Sequence, residues 1–162
     1  MEINIIEVDI KSKDVAFNIF NENQISDEMG KYIFKNAKKS GLNSQLIINI
    51  DNKVEFNEIE QDRIVNAIRE HFGLLIRDKM RFARFSNIKK LILTFIGMLL
   101  MMLYDSTRSS LGFLIPEIMS LAGCVAIWEV VHIILFEDTK NRFEIKKLRQ
   151  LTKCEINFIN YK

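Results

Sequence analysis

The sequence is poor in the residues that usually build catalytic, metal-binding and disulfide sites. It has two cysteines, two histidines and one proline in 162 residues. Neither Cys124, in an apolar run, nor Cys154, near the C-terminus, has a metal-type spacing or a setting that favours a disulfide. The sequence also contains no glycine-rich phosphate loop, nucleophile elbow or zinc pattern. We therefore predict that the chain is not an enzyme and that it binds no cofactor or metal.

What the sequence has in abundance is one long apolar run. Positions 91 to 136 are mostly apolar, and one polar patch, at 105–110, interrupts them. The run is too long for a single span of about 20 residues, so we predict that it crosses a bilayer, turns and crosses back. The two predicted spans cover about 88–106 and 113–136. The first is short, and a re-entrant helix is the alternative there.

The charges are divided unevenly along the chain. Residues 1–76 carry nine Lys/Arg against thirteen Asp/Glu, whereas residues 77–162 carry fourteen against eight. Since Lys and Arg near span ends stay on the cytoplasmic side, both termini are predicted to be cytosolic. The basic flanks also predict contact with anionic lipid head groups, and not with nucleic acid. These flanking residues are Arg77, Lys79, Arg81, Arg84, Lys89, Lys90, Lys140, Arg142, Lys146, Lys147 and Arg149.

Short β-type segments stand at both ends of the chain. Residues 3–10, 15–20 and 45–50 have strand-like patterns of apolar residues. A further run, 154–161, alternates apolar and polar residues near the C-terminus. Because an isolated strand is not stable, we predict that this last strand joins the N-terminal sheet. A frayed tail is the alternative.

Three helices are predicted outside the apolar run. Ser26 is placed to cap a helix over 27–39. Asn57 and Glu60 have the spacing of a capping box, which begins a long helix directed toward the membrane surface. A basic helix over 139–151 follows the apolar run.

Together these patterns predict an α+β membrane protein, in which a two-helix transmembrane hairpin is inserted in a small cytosolic α/β head. The head, with a mixed sheet, covers 1–56, and the long helix to the membrane surface covers 57–87. The hairpin follows over 88–136. A cytosolic basic helix and C-terminal strand complete the chain over 137–162.

Three ionisable residues lie within the predicted second span: Glu117, Glu129 and His132. A charge at the centre of a span costs about 2.5 to 3.5 kcal/mol, so these residues need a partner or a wet cavity. Glu117 follows Pro116, and a solvated position at the outer interface is the alternative for it. Glu129 lies about 12 Å inside the membrane at helical rise, and His132 is on the same helix face.

The first span offers these groups no evident partner, because it has no ionisable residue between Lys90 and Asp105. A partner from another copy of the chain, and so a homo-oligomer, is predicted. A Lys or Arg reaching up from the basic flank of the same chain is the alternative. Glu129-x-x-His132 also has the spacing of di-metal bundle sites, but the facing carboxylates are missing. The predicted helix-contact residues are Ala122, Gly123, Ala126 and Trp128.

Two hypotheses for the function follow from these residues. In the first, hairpins of several copies form a pore or ion path that a cytosolic sensing or assembly head controls. In the second, the chain is a membrane-anchored adaptor or accessory subunit, whose head binds a protein or a small ligand.

The end of the chain carries a resemblance to known sequences. The segment LAGCVAIWEVVHIILFEDTKNRFEIKKLRQLTKCEINF contains Gly123, Ala126 and Trp128, then a glutamate near the end of the span, an acidic boundary and a basic helix leading into a short strand. In these features it resembles a group of uncharacterised bacterial two-span membrane proteins. The resemblance covers about the last quarter of the chain and implies the bacterial inner membrane, with a cytosolic tail, but no activity.

Overall fold

A computed structural model describes residues 3–10, 16–18, 21–42, 44–51, 56–107 and 112–159. The chain divides into two compact units. We call Met1–Lys79 with Phe143–Lys162 the head, and Met80–Arg142 the helical hairpin. In chain order the elements are β1 (Ile3–Asp9), β2 (Phe17–Asn18), β3 (Asn21–Ile25), α1 (Asp27–Ala37), β4 (Gln45–Asp51), α2 (Glu58–Thr107), α3 (Leu114–His132), a π-helical turn (Ile133–Asp138), α4 (Thr139–Lys153) and β5 (Glu155–Ile159).

A three-stranded sheet in the order β1-β4-β5 lies in the head. β4 is its central strand, and it pairs in parallel with both neighbours. Ile48 is opposite Ile6 on one side and Ile156 on the other. The strands predicted at 3–10 and 45–50 are confirmed, and so is the addition of the C-terminal strand to the N-terminal sheet.

The predicted mixed sheet is wrong, because all three described strands of this sheet are parallel. A parallel pair needs a long crossover, and each connection here contains helices: α1 between β1 and β4, and α2 to α4 between β4 and β5. β2 and β3 form a separate antiparallel pair. Of the strand predicted over 15–20, only Phe17–Asn18 is a described strand, and residues 15, 19 and 20 lie outside the described residues.

The core of the head is built from one face of the sheet and the apolar stripes of the helices. In β4, alternate residues are buried, with Ile48 and Ile50 fully enclosed. α2 contributes Ile64, Ile68 and Phe72, each 0% exposed and spaced by four residues. Full burial of one such side chain stabilises the fold by about 2 kcal/mol. The first turns of α2 are therefore fixed to the head by packing.

Both predicted helix caps are confirmed. The Ser26 hydroxyl accepts a hydrogen bond from the Met29 amide at 3.3 Å at the start of α1. The Asn57 side chain accepts from the Glu60 amide at 2.8 Å, and the Asn57 amide donates to the Glu60 carboxylate at 3.0 Å. This reciprocal pair satisfies two amides that an uncapped helix leaves without partners. From there α2 continues for 50 residues.

Two helices are long and apolar enough to cross a membrane. They are Glu58–Thr107 and the continuous helical segment Leu114–Lys153, with mean hydropathies of 1.5 and 2.1 over their most apolar windows. Only 11% of each window is buried within the structure. Large side chains such as Leu91 and Phe95 are 72% and 69% exposed. These helices are therefore unlike core helices, whose apolar side chains other parts of the protein cover.

The two helices of the hairpin approach closely at a pair of glycines. A methyl group on Gly97 of α2 would lie 2.9 Å from Ile127 Cγ1 and 3.2 Å from the Gly123 carbonyl oxygen. A methyl group on Gly123 of α3 would lie 3.1 Å from the Gly97 carbonyl oxygen. Each glycine therefore makes room for the backbone of the other helix, as small residues do where membrane helices pack.

The glycine contact predicts opposite effects for two similar substitutions. Gly97→Ala should lower the thermal midpoint of the full chain in mild detergent by about 3 to 6 °C, because the added methyl pushes the helices apart. Gly73→Ala is the control, since its methyl would meet nothing within 4 Å. It should leave the midpoint unchanged or raise it, because alanine favours a helix by about 1 kcal/mol. Far-ultraviolet circular dichroism measures both, and an unchanged midpoint for Gly97→Ala would contradict the close contact.

Candidate functional site

Two ion pairs join the helices of the hairpin. Lys89 Nζ of α2 donates to Glu129 Oε1 of α3 at 3.3 Å. The next residue, Lys90, pairs with Asp138 at the end of the π-helical turn. The side chains of Lys90 and Asp138 are 14% and 19% exposed, whereas those of Lys89 and Glu129 are 49% and 44% exposed. Two adjacent lysines thus neutralise two carboxylates that lie nine residues apart on the other helix.

The prediction that Glu129 finds no partner within its own chain is wrong. The alternative reading, a lysine from the basic flank, describes the contact. Lys89 stands just before the apolar run, and its long, flexible side chain allows the ammonium to reach the carboxylate. The sequence could not identify this partner, because the two residues are 40 positions apart and meet only when α2 and α3 pack.

The other two predicted intramembrane residues do not join this pair. His132 is exposed, and its ring lies 5.1 Å from that of Phe136, centroid to centroid. Glu117 is also exposed, twelve residues and about 18 Å before Glu129 on the same helix. Within the described ranges, no group of three His, Cys, Asp or Glu residues could hold a metal ion. Within one chain, the three predicted residues therefore do not come together.

The predicted helix-contact residues have different surroundings. Gly123 is buried in the contact with Gly97 of the same chain, and Ala126 Cβ is 3.5 Å from the position of a methyl on Gly97. Ala122 is exposed, and Trp128 is 70% exposed. The first two therefore face the neighbouring helix, whereas the other two lie on the open surface of α3.

One of the predicted membrane-surface residues, Lys147, is not at a surface. It is 0% exposed, and its ammonium donates to Ser40 Oγ at 3.0 Å and to the Gly41 carbonyl oxygen at 2.7 Å. Burial lowers the pKa of Lys147 below its ordinary value of 10.5. The amine thus satisfies polar groups just beyond the end of α1. The assignment of Lys147 to the membrane surface is therefore corrected.

Glu144 of α4 connects three helices of the head. Its two carboxylate oxygens pair with Lys38 at 2.6 Å and with Lys79 at 2.7 Å, and its side chain is 9% exposed. Lys38 follows α1, and Lys79 belongs to α2. Burial by itself raises the pKa of Glu144, but the hydrogen bonds from Lys38 and Lys79 outweigh it, and the pKa lies below its ordinary value of 4.5. The carboxylate therefore contributes to stability in its charged form.

The sequence carries a signal for these buried charges in the spacing of one helix face. Glu144, Lys147, Leu148 and Leu151 are all buried, and they follow the i, i+3, i+4, i+7 spacing of one helix face. The two leucines mark this face as a core face. From the sequence alone, the two charged residues that precede them would be assigned to solvent, because Lys and Glu are seldom buried without a partner. Their partners come from distant parts of the chain.

An open groove of about 770 Å³ lies in the head beside the C-terminal half of α4. It runs along the beginnings of β4 and β5, and α2 contributes one residue to its wall. In the part of the chain that the structure describes, its lining is rich in cations and has a single carboxylate. The lining residues are Leu42, Ser44, Gln45, Leu46, Arg69, Lys146, Arg149, Gln150, Lys153, Cys154 and Glu155.

The cysteine of this groove is not a reactive thiol. Cys154 is 6% exposed, and its thiol donates to the Leu151 carbonyl oxygen at 3.1 Å. Burial raises the pKa of Cys154 to about 11, although the positive charge of Arg69 acts in the opposite direction. The thiol is therefore protonated at neutral pH and is a poor nucleophile. Any chemistry of the groove rests on its charged and amide side chains.

The Glu144 contacts predict a pH-dependent loss of stability. Because the folded pKa is depressed, the carboxylate stabilises the head fully above about pH 4.5, and this contribution is lost as pH falls through the folded pKa. Glu144→Gln should lower the free energy of unfolding of the head by about 1 to 2 kcal/mol at pH 7, a modest amount because both lysines are partly exposed to solvent. Near pH 3 the loss should be much smaller. Hydrogen exchange of head amides in the full chain measures the difference. Glu70→Gln, on an exposed face of α2, is the control and should change little at either pH.

Comparisons with known proteins identify no relative of this chain. No family model, no curated protein and no solved structure matches the chain. The resemblance of the last quarter to two-span bacterial membrane proteins therefore stays a prediction. The function has to be inferred from the residues themselves.

Proposed function

We propose that this protein is an integral membrane protein in which the helical hairpin anchors a cytosolic head, and that the head acts as a binding module. The exposed apolar surface of the hairpin supports the anchor. At about 1.5 Å per residue, Leu114–Phe136 reaches about 34 Å, which exceeds the roughly 30 Å hydrocarbon core of a bilayer. Lipid would cover the apolar side chains that the protein itself leaves exposed.

The pair between Lys89 and Glu129 is the observation that carries this proposal. An unpaired glutamate within lipid would call for a partner chain or a water path, and that need was the main argument for an oligomeric pore. With Lys89 and Lys90 bound to Glu129 and Asp138, the hairpin of one chain is neutral at these positions. A hairpin of this kind suits an anchor. The pore stays a prediction from the sequence without a structural argument of its own.

The orientation of the anchor follows from the exposed basic residues near its ends. Arg77, Arg81 and Arg84 on α2 and Lys140 and Arg142 on α4 are exposed and have no ion pair among the described residues. Cations in such positions are attracted to anionic lipid head groups of the cytoplasmic leaflet. In this proposal the head therefore lies in the cytosol, and the resemblance of the tail favours the inner membrane of a bacterium.

Cysteine labelling tests the anchor and its orientation. In a Cys124→Ala background, Phe113→Cys places a thiol at the 78%-exposed turn of the hairpin, and Lys31→Cys places one on an exposed face of the head. A membrane-impermeant maleimide should label Phe113→Cys in intact spheroplasts and Lys31→Cys only after lysis. The buried Cys154 should stay unlabelled in both. Equal labelling of both thiols before lysis, or release of the protein by carbonate, would refute the anchored arrangement.

A charge exchange tests the intrachain pair. Lys89→Glu should lower the stability of the hairpin by about 2 to 3 kcal/mol, because it leaves two carboxylates facing each other in lipid. Lys89→Glu combined with Glu129→Lys restores an attractive pair and should recover most of the loss. Thermal unfolding in nanodiscs measures all three proteins.

The control for the exchange places the same change away from the pair. Arg84→Glu reverses an exposed charge on the same helix and should not be rescued by Glu129→Lys. If the double exchange at Lys89 and Glu129 is as unstable as the single variant, the carboxylate is held by another group. The argument for an oligomer would then return.

A further inference from the structure

The groove of the head holds four cations that no carboxylate of the described residues neutralises. Arg69, Lys146, Arg149 and Lys153 line it, and all four are exposed without an ion pair to another described residue. Glu155 is the one carboxylate among the described residues of the lining. Elsewhere in the head, Lys38 and Lys79 are used to bind Glu144. The groove is thus a place where positive charge is concentrated and left free for an anion.

The cations are arranged in a row of fixed length. Lys146, Arg149 and Lys153 recur at i, i+3 and i+7, so they share one face of α4 and extend over about 10 Å. Arg69 stands on α2, a different helix. A single phosphate would engage only part of this row, whereas two or more linked phosphates match it. Arginines bind phosphate oxygens through two parallel N–H donors, which gives such a site direction as well as charge.

The charges of α4 are only partly explained by the helix itself. Cations in a last turn complement the carbonyl end of the helix, and this accounts for Lys153. Lys146 lies two turns earlier, and Arg69 comes from another element. The helix end therefore does not account for the convergence of these residues on one groove, whose volume of about 770 Å³ is within the range of small-molecule sites.

One acceptor in the groove describes the rest of that ligand. Gln150 is used within the protein, because it donates through Nε2 to the Leu42 carbonyl oxygen and its Oε1 is buried. Glu155 is exposed, and its carboxylate is an acceptor only. Since an ionised phosphate oxygen also only accepts, this carboxylate needs a hydroxyl or amino group on the body of the ligand.

We propose that the groove binds a small molecule that carries at least two linked phosphates on a body with hydroxyl or amino groups. Arg69, Lys146, Arg149 and Lys153 hold the phosphates, and Glu155 accepts a hydrogen bond from the body. The molecule is either soluble or the head group of a phosphorylated lipid, since both present the same chemistry. This inference deepens the proposed binding role of the head and rests on it.

Titration calorimetry on the full chain in zwitterionic nanodiscs tests the site with two probes, ATP and inorganic tripolyphosphate. Both should bind, and Arg69→Gln with Arg149→Gln should weaken both by about 100-fold, about tenfold for each lost charge-assisted contact. Lys31→Gln with Lys35→Gln removes the same charge from an exposed face of α1 and should change either affinity by less than about threefold. Glu155→Leu should weaken ATP relative to tripolyphosphate, because tripolyphosphate has no body to donate hydrogen bonds to this carboxylate.

The outcomes distinguish a soluble ligand from a lipid head group, and failure of the groove site from failure of the anchor. Nanodiscs that contain phosphorylated lipids would reduce ATP binding if the lipid head group occupies the groove, and would leave it unchanged if the ligand is soluble. No saturable binding of either probe, or equal weakening by the groove and α1 variants, would overturn the proposal. The labelling of Phe113→Cys and Lys31→Cys tests the anchor on its own. If the two thiols are labelled as expected but neither probe binds, the phosphate site in the groove is refuted and the anchored head is still supported.

Discussion

The parallel pairing of β4 with β5 is the constraint on which the rest of the structure depends. β4 is the central strand, and β5 lies more than a hundred residues later in the chain. The chain must therefore leave the head through α2 and return to it through α4 before the sheet is complete. Both passages are secured by core packing, with Ile64 and Phe72 in the outgoing helix and Leu151 in the returning one. The hairpin is therefore inserted in the chain between two helical segments that pack in the core of the head.

Buried charges specify how the returning helix sits in the head. Leu148 and Leu151 bury one face of α4, but apolar contacts are not directional and permit several rotations of a helix. Glu144 binds lysines from two other helices, and Lys147 binds oxygens that follow α1. Each of these contacts is lost if α4 turns or slides by one residue. The charges thus select one arrangement among those that the apolar face permits.

The ionisable residues of the chain fall into groups with different roles. In the hairpin, Lys89 and Lys90 are matched to carboxylates of the same chain, which removes the need for an outside partner. In the groove of the head, Arg69 and Arg149 are not matched within the described residues. Since an unsatisfied charge is where a ligand gains most, the second group is the better indicator of function. The proposal of an anchored binding module rests on this contrast.

The sequence by itself determined the local elements of this protein. The caps at Ser26 and Asn57, the apolar run and the strand-like ends follow from periods and spacings that involve neighbours in the chain. The tertiary structure decided what depends on contacts between distant segments: the parallel direction of the strands, the partner of Glu129 and the burial of Lys147. A strand's alternation is the same in either direction, and a lysine reads as a surface residue until its partners are known. Those partners come together only when the helices and strands pack.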